Sequence, residues 1–215
     1  MIGILAFGSL IANPGSELVK IIVDRHSCNT PFPVEYARRT KSRANAPTIV
    51  RVPEGMGSSV HGVILVLRQD VKHQNAKNLL YRRELHDDTD ETLHYNDIMQ
   101  RAKGDALVIE TLSTVEGFDE VYYTSLTANF TEILDTNRPQ AQKAILLAQA
   151  AFDSLVNETF NAGKDGIKYL HDNIEAGIIT PLTEPYRQSL LQMAANAPDL
   201  PTARLYFARQ KGIIS

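Results

Sequence analysis

Two places in this sequence hold residue types that could do chemistry. The first is the exit of an apolar run, Gly3-Ile4-Leu5-Ala6-Phe7-Gly8-Ser9-Leu10-Ile11, which then meets Asn13-Pro14-Gly15. A short strand that breaks at Gly8 and turns exposes consecutive backbone N–H groups, a concavity suited to a carboxylate or a phosphate. Gly8 has no Cβ to keep a ligand away from the backbone. The same pattern also describes a buried strand with an ordinary loop after it. The second place is Glu84, beside Leu85 and Tyr81 at the end of an expected helix. If that helix docks on a sheet, Glu84 is partly desolvated and usable as a general base. A salt bridge to Arg82 or Arg83, or plain exposure, is the competing expectation.

Other candidates have weaker chemistry. Arg38, Arg39, Lys41 and Arg43 form a basic cluster. It reads either as a charged edge strand that discourages pairing or as a source of an arginine for a ligand carboxylate. His86 to His94 is rich in acids, but its spacing fits no zinc pattern and reads as an acidic loop. Glu110 alternates with apolar residues in a strand and is a better substitute acid than Glu116 or Glu120, which flank a turn. There is no phosphate-binding loop, Gly-x-Gly-x-x-Gly, Cys-x-x-Cys or Gly-x-Ser-x-Gly elbow. Ser9 is therefore a poor candidate for a hydrolase nucleophile.

Composition narrows the class. The chain of 215 residues is 43% hydrophobic, enough to bury a sizeable core, and its formal net charge of −3 gives no footprint for nucleic acid. A single cysteine, Cys28, rules out an internal disulfide framework. No cationic segment precedes the first apolar run, which is too short to span a bilayer. The expectation is a soluble cytoplasmic protein.

The elements that must position these residues follow from periodicity. Residues 16–28 read as a short helix or irregular segment, with Ser16 as a cap. Residues 47–52 and 60–67 read as strands of a hairpin with a long glycine-bearing loop, the second continuously apolar and so well covered. A helix from Gln69 carries Val71, Ala76, Leu79 and Leu80 on one side. Two strands follow, 106–112 and 120–126. Helices are expected over 140–160, 163–176, 184–195 and 202–210, the first with apolar residues at three-and-four spacing. Strands first and helices afterwards indicate an α+β protein: a small, mixed, mostly antiparallel β-barrel or sheet with flanking helices. The expectation is one domain over 1–215, a barrel core over 1–127 with a helical extension over 137–215 packed on it.

Phe7-Gly8-Ser9-Leu10-Ile11 with Pro14-Gly15 resembles the Tyr-Gly-Ser-Leu loop of the γ-glutamylcyclotransferase-like superfamily. The order of later pieces is similar to its ChaC-type branch: Arg39 and Ser42 on the second strand, Gly62-Val63 opening the central strand, and Arg83-Glu84 at the catalytic glutamate. Gly163-Lys164-Asp165-Gly166-Ile167-Lys168-Tyr169-Leu170 resembles its late Gly-x-x-Gly-x-x-Tyr-Leu helix start. The matches run from residue 4 to about 180 in the right order. Each motif is short, and the ordered combination carries the resemblance. Two departures stand out. Phe7 replaces the tyrosine, and Leu85-His86-Asp87-Asp88 stands where the branch has a glycine pair and a tyrosine.

The resemblance implies a mixed barrel whose cavity lies between the opening loop and the glutamate. Backbone amides of Gly8, Ser9 and Leu10 would hold the α-carboxylate of a γ-glutamyl group, with Phe7, Arg39, Ser42 and Tyr123 lining the site. Glu84 would shuttle one proton as the α-amine attacks its own γ-carbonyl and 5-oxoproline leaves. The departure after Glu84 leaves the identity of the γ-glutamyl compound open. Two further readings stand beside it: a binding or regulatory protein that keeps the pocket without turnover, and an enzyme of the same fold that cleaves a different γ-linked amide. A buried Glu84 facing Gly8-Ser9 without an arginine favours catalysis; one pointing to solvent favours the binder.

Overall fold

The structure, a computed structural model, describes residues 1–85, 90–103, 106–112 and 114–215. In chain order the first elements are β1 (Ile2–Ala6), α1 (Ser9–Ala12), α2 (Ser16–Val19), β2 (Ile22–Asn29), β3 (Val34–Thr40) and β4 (Ala46–Arg51). Then come β5 (His61–Leu67), α3 (His73–Leu85), α4 (Asp97–Arg101), β6 (Val108–Leu112) and β7 (Glu120–Ser125). The rest is helical: α5 (Thr131–Leu134), α6 (Gln140–Asp153), α7 (Asn157–Asn161), α8 (Gly166–Glu175), α9 (Thr183–Met193) and α10 (Leu200–Gln210). These elements form two compact units, residues 1–31 with 61–127 and residues 32–60 with 128–215.

The first unit is built on a five-stranded sheet of order β2-β5-β1-β7-β6. Only the β1–β7 ladder is parallel; the other three are antiparallel. β1 and β5 are interior strands and are buried almost throughout. That is why both read as unbroken apolar runs rather than alternating ones. The pleat sends Ile2, Ile4, Ala6, Val63, Leu65, Leu67 and Tyr122 into one core with Ala76, Leu79 and Leu80 of α3. Gly62 sits at a close approach of two strands: a Cβ there would lie 3.2 Å from the Ala6 carbonyl oxygen, so the neighbouring strand would have to give slightly.

The second unit combines the β3–β4 hairpin with the C-terminal helices. The chain reverses through a short 3-10 turn at Lys41–Arg43, with Ala44 and Asn45 in the left-handed region. α6 and α8 lie against β4, and α6 packs along α9. Buried Asp165 caps α8 by accepting from the Ile167 and Lys168 amides, and it pairs with Arg204 at 2.8 Å. Gly166 seats α8 closely, since an added Cβ would stand 2.9 Å from Ala151 Cα. Glu35, 1% exposed on β3, accepts from the Tyr36 amide, the Thr180 hydroxyl and the Leu182 amide. Burial pushes its carboxyl up to about 7, although those three donors and the charge of Lys143 pull the other way.

The mixed, mostly antiparallel sheet with flanking helices and the helical second half agree with the sequence. Several local expectations are corrected. β4 and β5 form no hairpin: β4 pairs with β3, while β5 lies between β1 and β2. The apolar run of β5 from Gly62 to Leu67 suits an interior strand, and β1 and β2 are its neighbours. Residues 16–28 hold one helical turn and then β2, an edge strand exposed for most of its length. A strand bare on both faces shows no apolar alternation, so its sequence gives no strand signal. The helix over 140–160 is two helices. The Thr159 hydroxyl donates to the Ser154 carbonyl and accepts from the Val156 amide, ending α6 and starting α7. Residues 32–60 belong with the C-terminal helices, so the stretch 1–127 is divided between the units.

Candidate functional site

The site grows from the end of β1. Gly8 adopts φ 65°, ψ −142°, which lets the chain leave the strand and enter α1 at once. The amides of Ser9 and Leu10 open this single turn and have no acceptor within it. The Ile11 amide donates to the Gly8 carbonyl at 3.2 Å and the Asn13 amide to the Ser9 carbonyl at 2.9 Å. Leu10 drops into the core, while Phe7 and Ser9 remain partly exposed.

α3 brings the second half. Its apolar side, set by Ala76, Leu79 and Leu80, continues in phase to Arg83, four residues after Leu79 and three after Leu80. The Arg83 side chain, 8% exposed, therefore points inward at the loop. Its Nε and Nη2 donate to the Asn13 carbonyl at 3.0 and 2.6 Å, and Nη2 lies 3.4 Å from Ser9 Oγ. Its Nη1 donates to Glu84 Oε1 at 2.5 Å. The Glu84 side chain is 16% exposed. Ser9 and Glu84, about 75 positions apart in sequence, thus both contact one guanidinium, and the salt bridge to Arg83, the competing expectation for Glu84, is the one the structure holds.

Arg82 does a different job. It forms a bidentate pair with Glu17 of α2, both contacts at 2.7 Å, and its Nη1 donates to the Leu93 carbonyl at 3.3 Å. The Glu17 carboxylate pushes the Arg82 guanidinium further up from its usual range. Two adjacent arginines therefore fasten the segment after β1 onto α3, one through a carboxylate and one through a carbonyl. Further along α3, Asn78 accepts from the Tyr95 amide and from Gln74, and its amide nitrogen lies 3.0 Å from His94 Nδ1. These contacts fix the segment that follows Glu84 on the far side of residues 86–89.

The structure places the remaining sequence candidates as follows. Arg39 lies in the second unit, its guanidinium over the Phe130 ring at 3.9 Å and its backbone joined to the Asn129 side chain by a pair of hydrogen bonds. Ser42 sits exposed in the turn after β3, also in the second unit. On β7, Tyr122 shares the α3 face, so the pleat turns Tyr123 to the opposite face. Among the substitute acids, Glu110 is held by both terminal nitrogens of Arg101 at 3.0 and 3.1 Å, and Glu116 is exposed. In the acidic stretch, Asp90 caps a turn by accepting from Thr92, and His94 is held by Asn78. His86, Asp87 and Asp88 lie outside the described residues.

Sequence reasoning took Arg83 as a competitor for Glu84 and as part of the Arg83-Glu84 motif, and missed the pairing of Arg82 with Glu17. The available signal was the phase of α3, which continues its buried side through both arginines. It also missed a polar cluster at the start of α3, where the Tyr122 hydroxyl contacts His73 Nδ1 at 2.7 Å and also the Glu120 carboxylate. Desolvation pushes the Tyr122 hydroxyl well up, and the Glu120 carboxylate adds to the rise. Among the described residues no group of three or more His, Cys, Asp or Glu is arranged to hold a metal ion. No described helix is long and apolar enough to cross a membrane. Compared with known proteins, the chain matches no family model, no curated protein and no solved structure.

Proposed function

We propose that the protein is a γ-glutamylcyclotransferase: it cyclises a γ-glutamyl peptide, amine or amino acid and releases 5-oxoproline. The observation that supports this reading is a mostly buried Glu84 that shares one guanidinium with Ser9 within one compact unit, although its pairing with Arg83 departs from the arginine-free carboxylate expected of a catalytic base. The family resemblance of the two motifs supplies the reaction. The ligand's α-carboxylate would lie against the Ser9 and Leu10 amides. Glu84 takes a proton from the neutral α-amine as that nitrogen attacks the γ-carbonyl carbon of the same molecule. The C–N bond to the leaving amine breaks as Glu84 returns the proton to that nitrogen. Nucleophile and electrophile belong to one molecule, so the protein need only hold it folded and shuttle one proton. No cofactor enters this scheme, and the γ-glutamyl compound is its only partner. The fold is read as the mixed barrel of that superfamily, in the cytoplasm.

A second reading has a specific observation behind it. Glu84 is mostly buried but engaged by Arg83, which suits a protein that binds a small carboxylate without turning it over. The test is 5-oxoproline release from glutathione, γ-glutamyl amino acids and γ-glutamyl amines, with Glu84→Gln alongside. Release by the native chain that falls at least a hundredfold in the variant is the expected result. Release that survives the substitution moves the base elsewhere. Saturable binding without release establishes the binder.

A further inference from the structure

The two neighbouring arginines differ in what satisfies them. Arg82 spends its fork on a carboxylate, with Nε and Nη2 on the two oxygens of Glu17. Arg83 offers the same fork, Nε and Nη2, to a neutral carbonyl, with a long contact to a serine hydroxyl. Its single carboxylate contact is through Nη1 to one oxygen of Glu84. A planar guanidinium gains most from a carboxylate that takes two of its nitrogens at once. Arg83 is thus less well matched than Arg82, and Ser9 and Glu84 on either side of it are both partly exposed. Among the described residues, the Glu84 carboxylate is hydrogen-bonded by Arg83 alone.

We propose that Arg83 exchanges carboxylates: a ligand carboxylate arriving beside Ser9 takes the outer side of the guanidinium, and Glu84 is released toward the ligand. This rests on the reading of the site given above and deepens it. Before binding, Glu84 balances the buried charge of Arg83, which would otherwise be costly. On binding, the ligand's carboxylate supplies that balance. Glu84 then has both oxygens for the ligand's amine, so the base becomes available only when a carboxylate-bearing ligand is present. No bond is made or broken in the exchange, and charge is conserved. A ligand without the carboxylate leaves Glu84 on Arg83. The structure thereby assigns Arg83 as a specificity-determining residue for the α-carboxylate.

The experiment uses the full chain labelled with 13C at the glutamate carboxyls, with the Glu84 signal assigned by its loss in Glu84→Gln. The probes are 5-oxoproline and 5-oxoprolinamide, which differ only in the carboxylate. The expected result is a saturable shift of the Glu84 signal with 5-oxoproline and at least tenfold weaker binding of the amide. Arg83→Lys keeps the charge but loses the fork, and should weaken 5-oxoproline about tenfold while leaving the amide unchanged. An unmoved Glu84 signal, or equal binding of both probes, overturns the proposal, and the native chain alone decides this if the variant does not fold. Turnover is measured separately. A Glu84 signal that responds to 5-oxoproline in a chain that releases none refutes the cyclotransferase reading and leaves the exchange standing.

Discussion

Glu35 offers the sharpest test of the energetics. It is a carboxylate 1% exposed on β3, in the unit where α6 and α8 lie against β4 and α6 packs along α9. Its carboxyl rises from an ordinary 4.5 to about 7, chiefly because burial penalises the charge, against the opposing pull of Thr180, Tyr36, Leu182 and Lys143. Between those two values the folded chain holds a proton that the unfolded chain has released. Stability therefore falls as pH rises from about 4.5 to about 7 and levels off above. At about 1.4 kcal/mol for each pH unit of separation, the loss across that window is roughly 3 kcal/mol. Glu35→Gln removes the titration while nearly preserving shape, though its amide nitrogen meets donors and costs something at every pH. The measurement is amide hydrogen exchange of β3 and β4, which reports this unit, at pH 5, 6, 7 and 8 with rates corrected for intrinsic pH dependence. Native protection should weaken relative to the variant by about 2.5 kcal/mol between pH 5 and pH 8, since part of the loss has already occurred at pH 5. Two curves that run parallel would refute the reasoning, because the histidines and surface carboxylates common to both chains would then account for the whole slope.

Two further substitutions probe the scaffold of each unit. Glu17→Gln leaves the buried Arg82 charge without its carboxylate and should cost about 3 kcal/mol in urea unfolding; a cost under about 1 kcal/mol would show that the pair is well solvated. Gly166→Ala forces a Cβ against Ala151, where the neighbour is backbone and cannot swing aside. It should destabilise the second unit by about 1–3 kcal/mol, read by hydrogen exchange of α8, and an unchanged α8 would show that the helix can slide.

How much was legible depended on whether a residue's environment could be read from its near neighbours. β1, β5, α3 and the C-terminal helices were visible because each buries one face or both, and burial writes a period into the sequence. β2 was not, since Val23 to Ser27 are exposed and carry no such period. The turn at Gly8-Ser9 was legible too: a glycine ending an apolar run has few conformational uses, and φ 65° is one of them. Tyr122 and Tyr123 were visible as strand tyrosines, but which of them faces α3 depends on the register of β7 against β1. Nothing in the residues next to Glu35 marks it as buried. Its burial is imposed by Thr180 and Leu182, about 145 positions away.

The sequence by itself determined the mixed composition of the fold, the order of most elements, and the two motifs on which a function can be argued. Tertiary structure alone decided that β3 and β4 leave the sheet, that Arg39 and Ser42 lie in the other unit from Gly8-Ser9, and that Arg83 joins Ser9 to Glu84. The physical reason is the same in each case. Periodicity and turn chemistry are set by the nearest few residues. Strand partners and buried ion pairs are set by which distant surfaces share a core once the intervening loops have closed, and no local spacing records that choice.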